Sequence, residues 1–166
     1  MQPPYVRYFP SDTLIFHQIR EPLGFIRSRL RKGLTRVSLY NRYCPSCSHL
    51  SSRAAFDTFS KEDQAAYLAN LWIDWNEMVE RSAKVRGLTY HRYLLSELDS
   101  DFVHWMLQEI QAVASLEKVR SAFDALPRNI HSWGTTDQTI TWKTVPEPTR
   151  SRLETVADRY GFASYP

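Results

Sequence analysis

The 166-residue chain has little glycine, little cysteine and no long apolar run: five glycines, two cysteines and a net charge of only +3. No apolar stretch approaches the roughly 20 residues that a membrane helix needs. The first residues, MQPPYVRYFPSD, are polar and proline-rich, without the basic-then-apolar pattern of a secretory leader. A soluble, cytoplasmic protein that does not enter a membrane is therefore expected. The small net charge excludes the global basicity of a nucleic-acid coat, and no nucleic-acid partner is expected. The basic excess is local instead. Arg27, Arg29, Arg31, Lys32 and Arg36 crowd one segment, which reads as a solvated helix face that could also draw in an anion.

The two cysteines, Cys44 and Cys47, stand in YCPSCSHL. One CxxC cannot complete a four-ligand zinc site, and His49 adds only a third donor. A redox CxxC normally opens a helix after a strand, and this polar loop offers no such context. Loop thiols, a metal or disulfide staple and a redox pair all remain as readings. No metal site is assigned.

What is present points to a folded core. Length sets one domain over 1–166, with 1–12 as an extended arm. Aromatic content of 13%, including five Trp, argues against disorder. Leu14, Ile15, Phe16 and Ile19 predict a strand, and Pro22 suits the first turn of a helix that runs to Gly33. Residues 34–59 read as irregular. A long helix is expected over 61–86, capped by Ser60, helped by Asp63 and stopped by Gly87, with Leu68, Leu71, Trp72, Trp75, Met78 and Val79 as its apolar stripe. LTYHRYLL (88–95) predicts a second strand. Residues 101–114 predict an amphipathic helix through Phe102, Met106, Ile110 and Val113, continued after a bend by 115–126. A loop follows over 127–142, with an extended piece near 139–142, and a last helix runs from Pro146 to Tyr160 and stops at Gly161. The class is mixed α/β and helix-rich. Two strands are few, so the sheet reads as incomplete: fully apolar strands usually sit in a sheet covered on both faces.

The stretch TLIFHQIREPLGFIRS (13–28) carries the chemistry. Ligands of α/β sheets bind beyond the carboxyl ends of strands. Arg20 stands at such an end, and its guanidinium fork matches a phosphate. Ser28, in the next helix, can donate a hydrogen bond to the same anion. A strand–Arg–x–Pro–helix–Ser unit thus reads as a phosphate clamp, although a strand-end Arg can equally pair with a carboxylate. His17, three residues before Arg20 on a strand, points to the other face and reads as a packed core histidine. Trp72 and Trp75 read as core rather than as a stacking platform. No Ser/His/Asp or paired-carboxylate arrangement can be argued from spacing, and the catalytic residues stay unknown.

HQIREPLGFIRS resembles the 3′-phosphate-binding segment of sulfotransferases that use 3′-phosphoadenosine 5′-phosphosulfate (PAPS), through Phe16, His17, Gln18, Arg20, Pro22, Leu23, Ile26 and Ser28. Three more stretches are similar in the same order. These are YLANLWIDWNEMVE (67–80), HRYLLSEL (91–98) with Arg92, Tyr93, Glu97 and Leu98 in register, and LPRNIHSW…TITWKTVP…LETVADRYGF (126–162). The resemblance implies a P-loop-type nucleotide-binding fold and transfer of a sulfuryl group to an alcohol or amine acceptor. It also implies that Arg20 and Ser28 hold the 3′-phosphate of PAPS or of adenosine 3′,5′-bisphosphate, and that Asn129 and His131 contact the nucleotide from a closing loop. His131 departs from the family's Arg or Lys, and Ser96 from its acidic turn.

One absence matters more. The family's 5′-phosphosulfate loop needs glycine or small residues where backbone N–H groups approach the anion. All five glycines, Gly24, Gly33, Gly87, Gly134 and Gly161, follow Arg20. The family's catalytic base also normally precedes that arginine. The chain therefore resembles the C-terminal portion of a sulfotransferase, without the part that handles the transferred group. A catalytically silent module that holds a 3′-phosphonucleotide or a protein is the alternative expectation.

Overall fold

The computed structural model describes residues 10–32, 53–126 and 139–162. Strand β1 (Leu14–Ile19) leads directly into α1 (Pro22–Lys32). After α2 (Arg53–Asp57) comes the long α3 (Lys61–Arg86), which returns the chain to β2 (Thr89–Leu94). The two strands pair in parallel, from Leu14 beside Thr89 to Ile19 beside Leu94. Parallel neighbours require a crossover, and the intervening helices provide it. Two further helices, α4 (Ser100–Glu109) and α5 (Leu116–Asp124), form a hairpin, and α6 (Thr149–Arg159) closes the described chain. The described residues thus form a helix-rich α/β fold with a small two-stranded parallel sheet. No helix among them is long and apolar enough to cross a membrane.

α3 is the axis of this fold, and its sequence explains its length. The Ser60 hydroxyl accepts the Asp63 N–H, and Glu62 and Asp63 supply negative charge at the positive end of the helix dipole. At the other end Gly87 adopts φ 62°, a left-handed conformation that costs a side-chain-bearing residue about 1 kcal/mol or more. Between these caps Leu68, Leu71, Trp72 and Ile73 are buried, each contributing roughly 1.5–3 kcal/mol by leaving water. Their core neighbours are Ile19 of β1, Leu23 and Ile26 of α1, Phe56 of α2, Ile140, Val145, and Leu153, Val156 and Ala157 of α6. Burial extends nearly round the middle of α3, so Ile73 joins the expected stripe, while Trp75 and Val79 stay half-exposed.

Strand periodicity divides the sheet into two unlike faces. Ile15, His17 and Ile19 share one face with Tyr90 and Arg92, towards α3 and α6. Phe16, His91 and Tyr93 share the other, where Trp105 and Phe102 of α4 pack on them at ring-centroid distances of 4.8–5.7 Å.

Four expectations from sequence change. The region expected to be irregular contains α2, fixed by Phe56, whose ring packs edge-on against Tyr67. The expected helix 101–114 ends at Glu109. Gln111 takes φ 57° and the Ala112 N–H reaches back to the Leu107 carbonyl, a helix stop made without glycine. Val113 is consequently fully exposed rather than on an apolar stripe, and α5 begins afresh with its own cap, Ser115. The expected extended piece near 139–142 is instead a lead into a 3-10 turn over Trp142–Thr144, because the Thr144 hydroxyl accepts the Thr141 N–H. The last helix starts at Thr149 rather than Pro146, with the Glu147 carboxylate accepting from Ser151.

Candidate functional site

The site begins where β1 ends. Apolar β1 and amphipathic α1 are joined by Arg20 and Glu21 alone, which puts the Arg20 side chain at the carboxyl end of a parallel strand. The Trp72 indole donates a 3.0 Å hydrogen bond to the Arg20 carbonyl, so α3 holds this junction from beneath. The Arg20 guanidinium itself is exposed and has no ion-pair partner among the described residues.

Gly24 makes room for the side chains around it. A Cβ on Gly24 would lie 3.7 Å from Arg20 Nε and 2.9 Å from Glu21 Oε2. Arg20 thus folds back over the first turn of α1. Ser28 lies one turn beyond Gly24 on the same strip of that helix, and it is half-buried. The structure therefore brings Arg20 and Ser28 to one helix face with a glycine between them. Asn129 and His131 lie outside the described residues, as do Cys44, Cys47 and His49.

Glu21 is the residue that sequence reasoning missed. Its carboxylate accepts the Leu23 N–H at 2.8 Å and also the Gly24 N–H. Those are the N–H groups that a helix start would otherwise offer to an anion. Any anion at this helix start would have to rely on side chains such as the Arg20 guanidinium and the Ser28 hydroxyl, beside a carboxylate that repels it. The available signal was positional: an acidic residue just before a proline at the first helical position is a capping arrangement.

The arginine-rich face of α1 is less free than its sequence suggested. Arg27 reaches the Ile140 carbonyl through Nε at 3.0 Å and Nη2 at 2.6 Å, tying α1 to the segment before α6. Arg29 lies over the Phe25 ring at 5.4 Å. Three arginines beyond α1 pair with carboxylates of α3. Arg152 of α6 bonds the buried Asp74 at 2.7 Å and lies 3.4 Å from Glu77. Arg159 bridges Glu77 and Glu80, and Arg92 of β2 pairs with Glu80 at 3.5 Å. Arg92 and Arg159 both lie within 5.2 Å of the Tyr160 ring centroid, and burial pushes the Tyr160 hydroxyl up to about 12.

His17 is buried, in agreement with its reading as a core residue. Its Nδ1 lies 2.7 Å from the Tyr90 hydroxyl, and burial lowers the ring's proton affinity below its usual value. Its hydrogen-bond partner is therefore on β2. Two clefts open elsewhere on the described surface. One, of about 240 Å³, is lined by Glu77, Glu80, Arg81, Lys84 and Arg159, and the other, of about 310 Å³, by Phe59, Asp63, Ala66, Tyr67 and Asn70. Neither is lined by Arg20 or Ser28. No cluster of three or more metal-binding side chains occurs among the described residues.

The arrangement is a βαβ unit whose strand-mouth arginine has no ion-pair partner among the described residues. Comparisons with family models, with curated proteins and with solved structures find no match to this chain.

Proposed function

We propose that this chain is a sulfotransferase-like, P-loop-type nucleotide-binding protein of the cytoplasm, in which Arg20 and Ser28 hold the 3′-phosphate of PAPS or of adenosine 3′,5′-bisphosphate. One observation carries the reading. At the β1–α1 junction an arginine without an ion-pair partner among the described residues stands at the end of a parallel strand, and the glycine and serine beside it lie on one helix strip. A guanidinium offers two parallel donors to phosphate oxygens, and the serine hydroxyl adds a third. Asn129 and His131 would complete the nucleotide contacts.

The reaction belonging to that site is transfer of a sulfuryl group from PAPS to an alcohol or amine. Such a displacement depends on positioning and on stabilising the charge of the transferred group. The residues for those two tasks are not assigned in this chain. The alternative, a non-catalytic module that binds a 3′-phosphonucleotide or another protein, is favoured by one feature. His17, the histidine nearest Arg20 in sequence, is buried and hydrogen-bonded to Tyr90.

Calorimetric titration of the folded protein with adenosine 3′,5′-bisphosphate tests the shared premise. Saturable binding is expected, weakened by about tenfold or more in Arg20→Ala, because a charge-assisted bidentate contact is lost. Absence of binding by the folded wild-type chain contradicts both nucleotide readings. Sulfuryl transfer to a generic phenol, assayed with PAPS, then separates the enzyme from the silent module.

A further inference from the structure

The cleft beside the C-terminal turns of α3 lies in a different region from Arg20. α3 ends at Arg86 and β2 begins at Thr89, so these turns stand at the amino ends of the strands, whereas Arg20 follows the carboxyl end of β1. At about 1.5 Å per helical residue, Arg81 and Lys84 lie roughly 14 and 18 Å along α3 from Trp72, which holds the Arg20 carbonyl. Glu77, Glu80, Arg81 and Lys84 recur along one strip of the helix, and Arg159 of α6 completes the lining of about 240 Å³. The backbone that carries the two cations is fixed. Ser82 and Ala83 between them are buried, and the Gly87 and Leu88 N–H groups close the helix end on the Lys84 and Ala83 carbonyls.

The charges of this region divide unequally. Asp74, Glu77 and Glu80 meet Arg92, Arg152 and Arg159 in ion pairs of 2.7–3.7 Å. Three carboxylates against three guanidinium groups leave that network without net charge. Arg81 and Lys84 each follow a glutamate by four residues, the spacing at which helix ion pairs form, yet neither has an ion-pair partner among the described residues. Arginines of β2 and α6 hold those glutamates instead. Two exposed positive charges are thus left over, one turn apart, and both line the cleft. We propose that this cleft is a second anion site, which takes the dianion of a small phosphate monoester between Arg81 and Lys84. Two uncompensated charges match the two negative charges of the ligand. The guanidinium offers paired donors to phosphate oxygens, and the ammonium adds a compact charge. The volume falls below the roughly 300–1,000 Å³ of sites for drug-sized ligands, so the organic group of the ester is small. Glu77 and Glu80 line the same cleft, and their pairing with Arg159 limits the repulsion they exert. The proposal does not depend on the reading of Arg20.

Methyl phosphate and sulfate are the probes, used at low ionic strength because exposed charges are screened within about 10 Å at 0.1 M salt. Amide shifts of Arg81, Ser82 and Lys84 should saturate with methyl phosphate at about pH 8. The ester loses its second charge below a pKa of about 6, so its affinity should fall about fivefold or more by about pH 5. Sulfate stays dianionic and should keep its affinity over the same range. Arg81→Gln and Lys84→Gln should each weaken both probes about fivefold, while Arg20→Ala leaves the shifts in this cleft unchanged. Urea unfolding should place both glutamine variants near wild type, as expected for exposed side chains without an ion-pair partner among the described residues. Absence of saturable shifts at Arg81 and Lys84 in the folded wild type overturns the proposal. So does binding that survives Arg81→Gln and Lys84→Gln combined, or that is lost in Arg20→Ala. Equal affinity for methyl phosphate at the two pH values overturns the match to a dianion.

Discussion

Arg20 and Arg152 are the same residue type in opposite settings. Arg152 spans α6 and α3 and neutralises Asp74, a carboxylate that is only 7% exposed. Arg20 projects from a two-residue junction, exposed, with no ion-pair partner among the described residues. The first arginine is required by the fold, since a buried carboxylate left alone is costly. The second neutralises no carboxylate among the described residues, while its carbonyl accepts the Trp72 indole N–H. Fixed backbone with an idle charge is what a ligand site needs, and paired charge is what a strut needs. The difference makes Arg152 a stabilising strut and Arg20 the residue to which binding is proposed.

Mutations can break that division in decreasing order of effect. Trp72 serves both regions, through Tyr160, Phe162 and the Arg20 carbonyl, so Trp72→Ala should cost about 3–5 kcal/mol of stability and abolish anion binding together. Urea unfolding checks the first part and titration the second. Arg152→Ala should cost about 2 kcal/mol, a value discounted for the arginine's own exposure, and leave nucleotide affinity unchanged. Loss of affinity in that variant would erase the distinction between strut and site. Glu21→Gln weakens the α1 cap by about 0.5–1 kcal/mol, yet it should tighten sulfate or bisphosphate binding several-fold by removing the adjacent negative charge. Thermal melts and titrations should therefore move in opposite directions. Arg20→Ala should change stability least, within about 0.5 kcal/mol, as expected for an exposed side chain without an ion-pair partner among the described residues.

Local signals carried much of this structure. Ser60, Asp63 and Gly87 mark the ends of α3 because caps act within one helical turn. Arg20, Pro22 and Ser28 were legible for the same reason: β1 and α1 adjoin, and strand-to-helix spacing fixes their faces. What stayed hidden depends on contacts remote in sequence. Arg27 meets Ile140 across 113 residues, Arg152 meets Asp74 across 78, and His17 meets Tyr90 across 73. No period or spacing encodes such pairs. Gln111 escaped for another reason, since a left-handed helix stop is usually announced by glycine. Glu21 was local and readable, but a carboxylate beside an anion ligand invites a charge argument before a capping one.

The central claim is that Arg20 reads a 3′-phosphate. It is tested most directly by the ratio of dissociation constants for adenosine 5′-monophosphate and adenosine 3′,5′-bisphosphate, measured on wild type and on Arg20→Ala. The account predicts a wild-type ratio of about ten or more, since the two ligands differ by one charge-assisted contact set, and a ratio near unity in the variant. A ratio near unity in the folded wild-type protein, or one that survives the substitution, would contradict it.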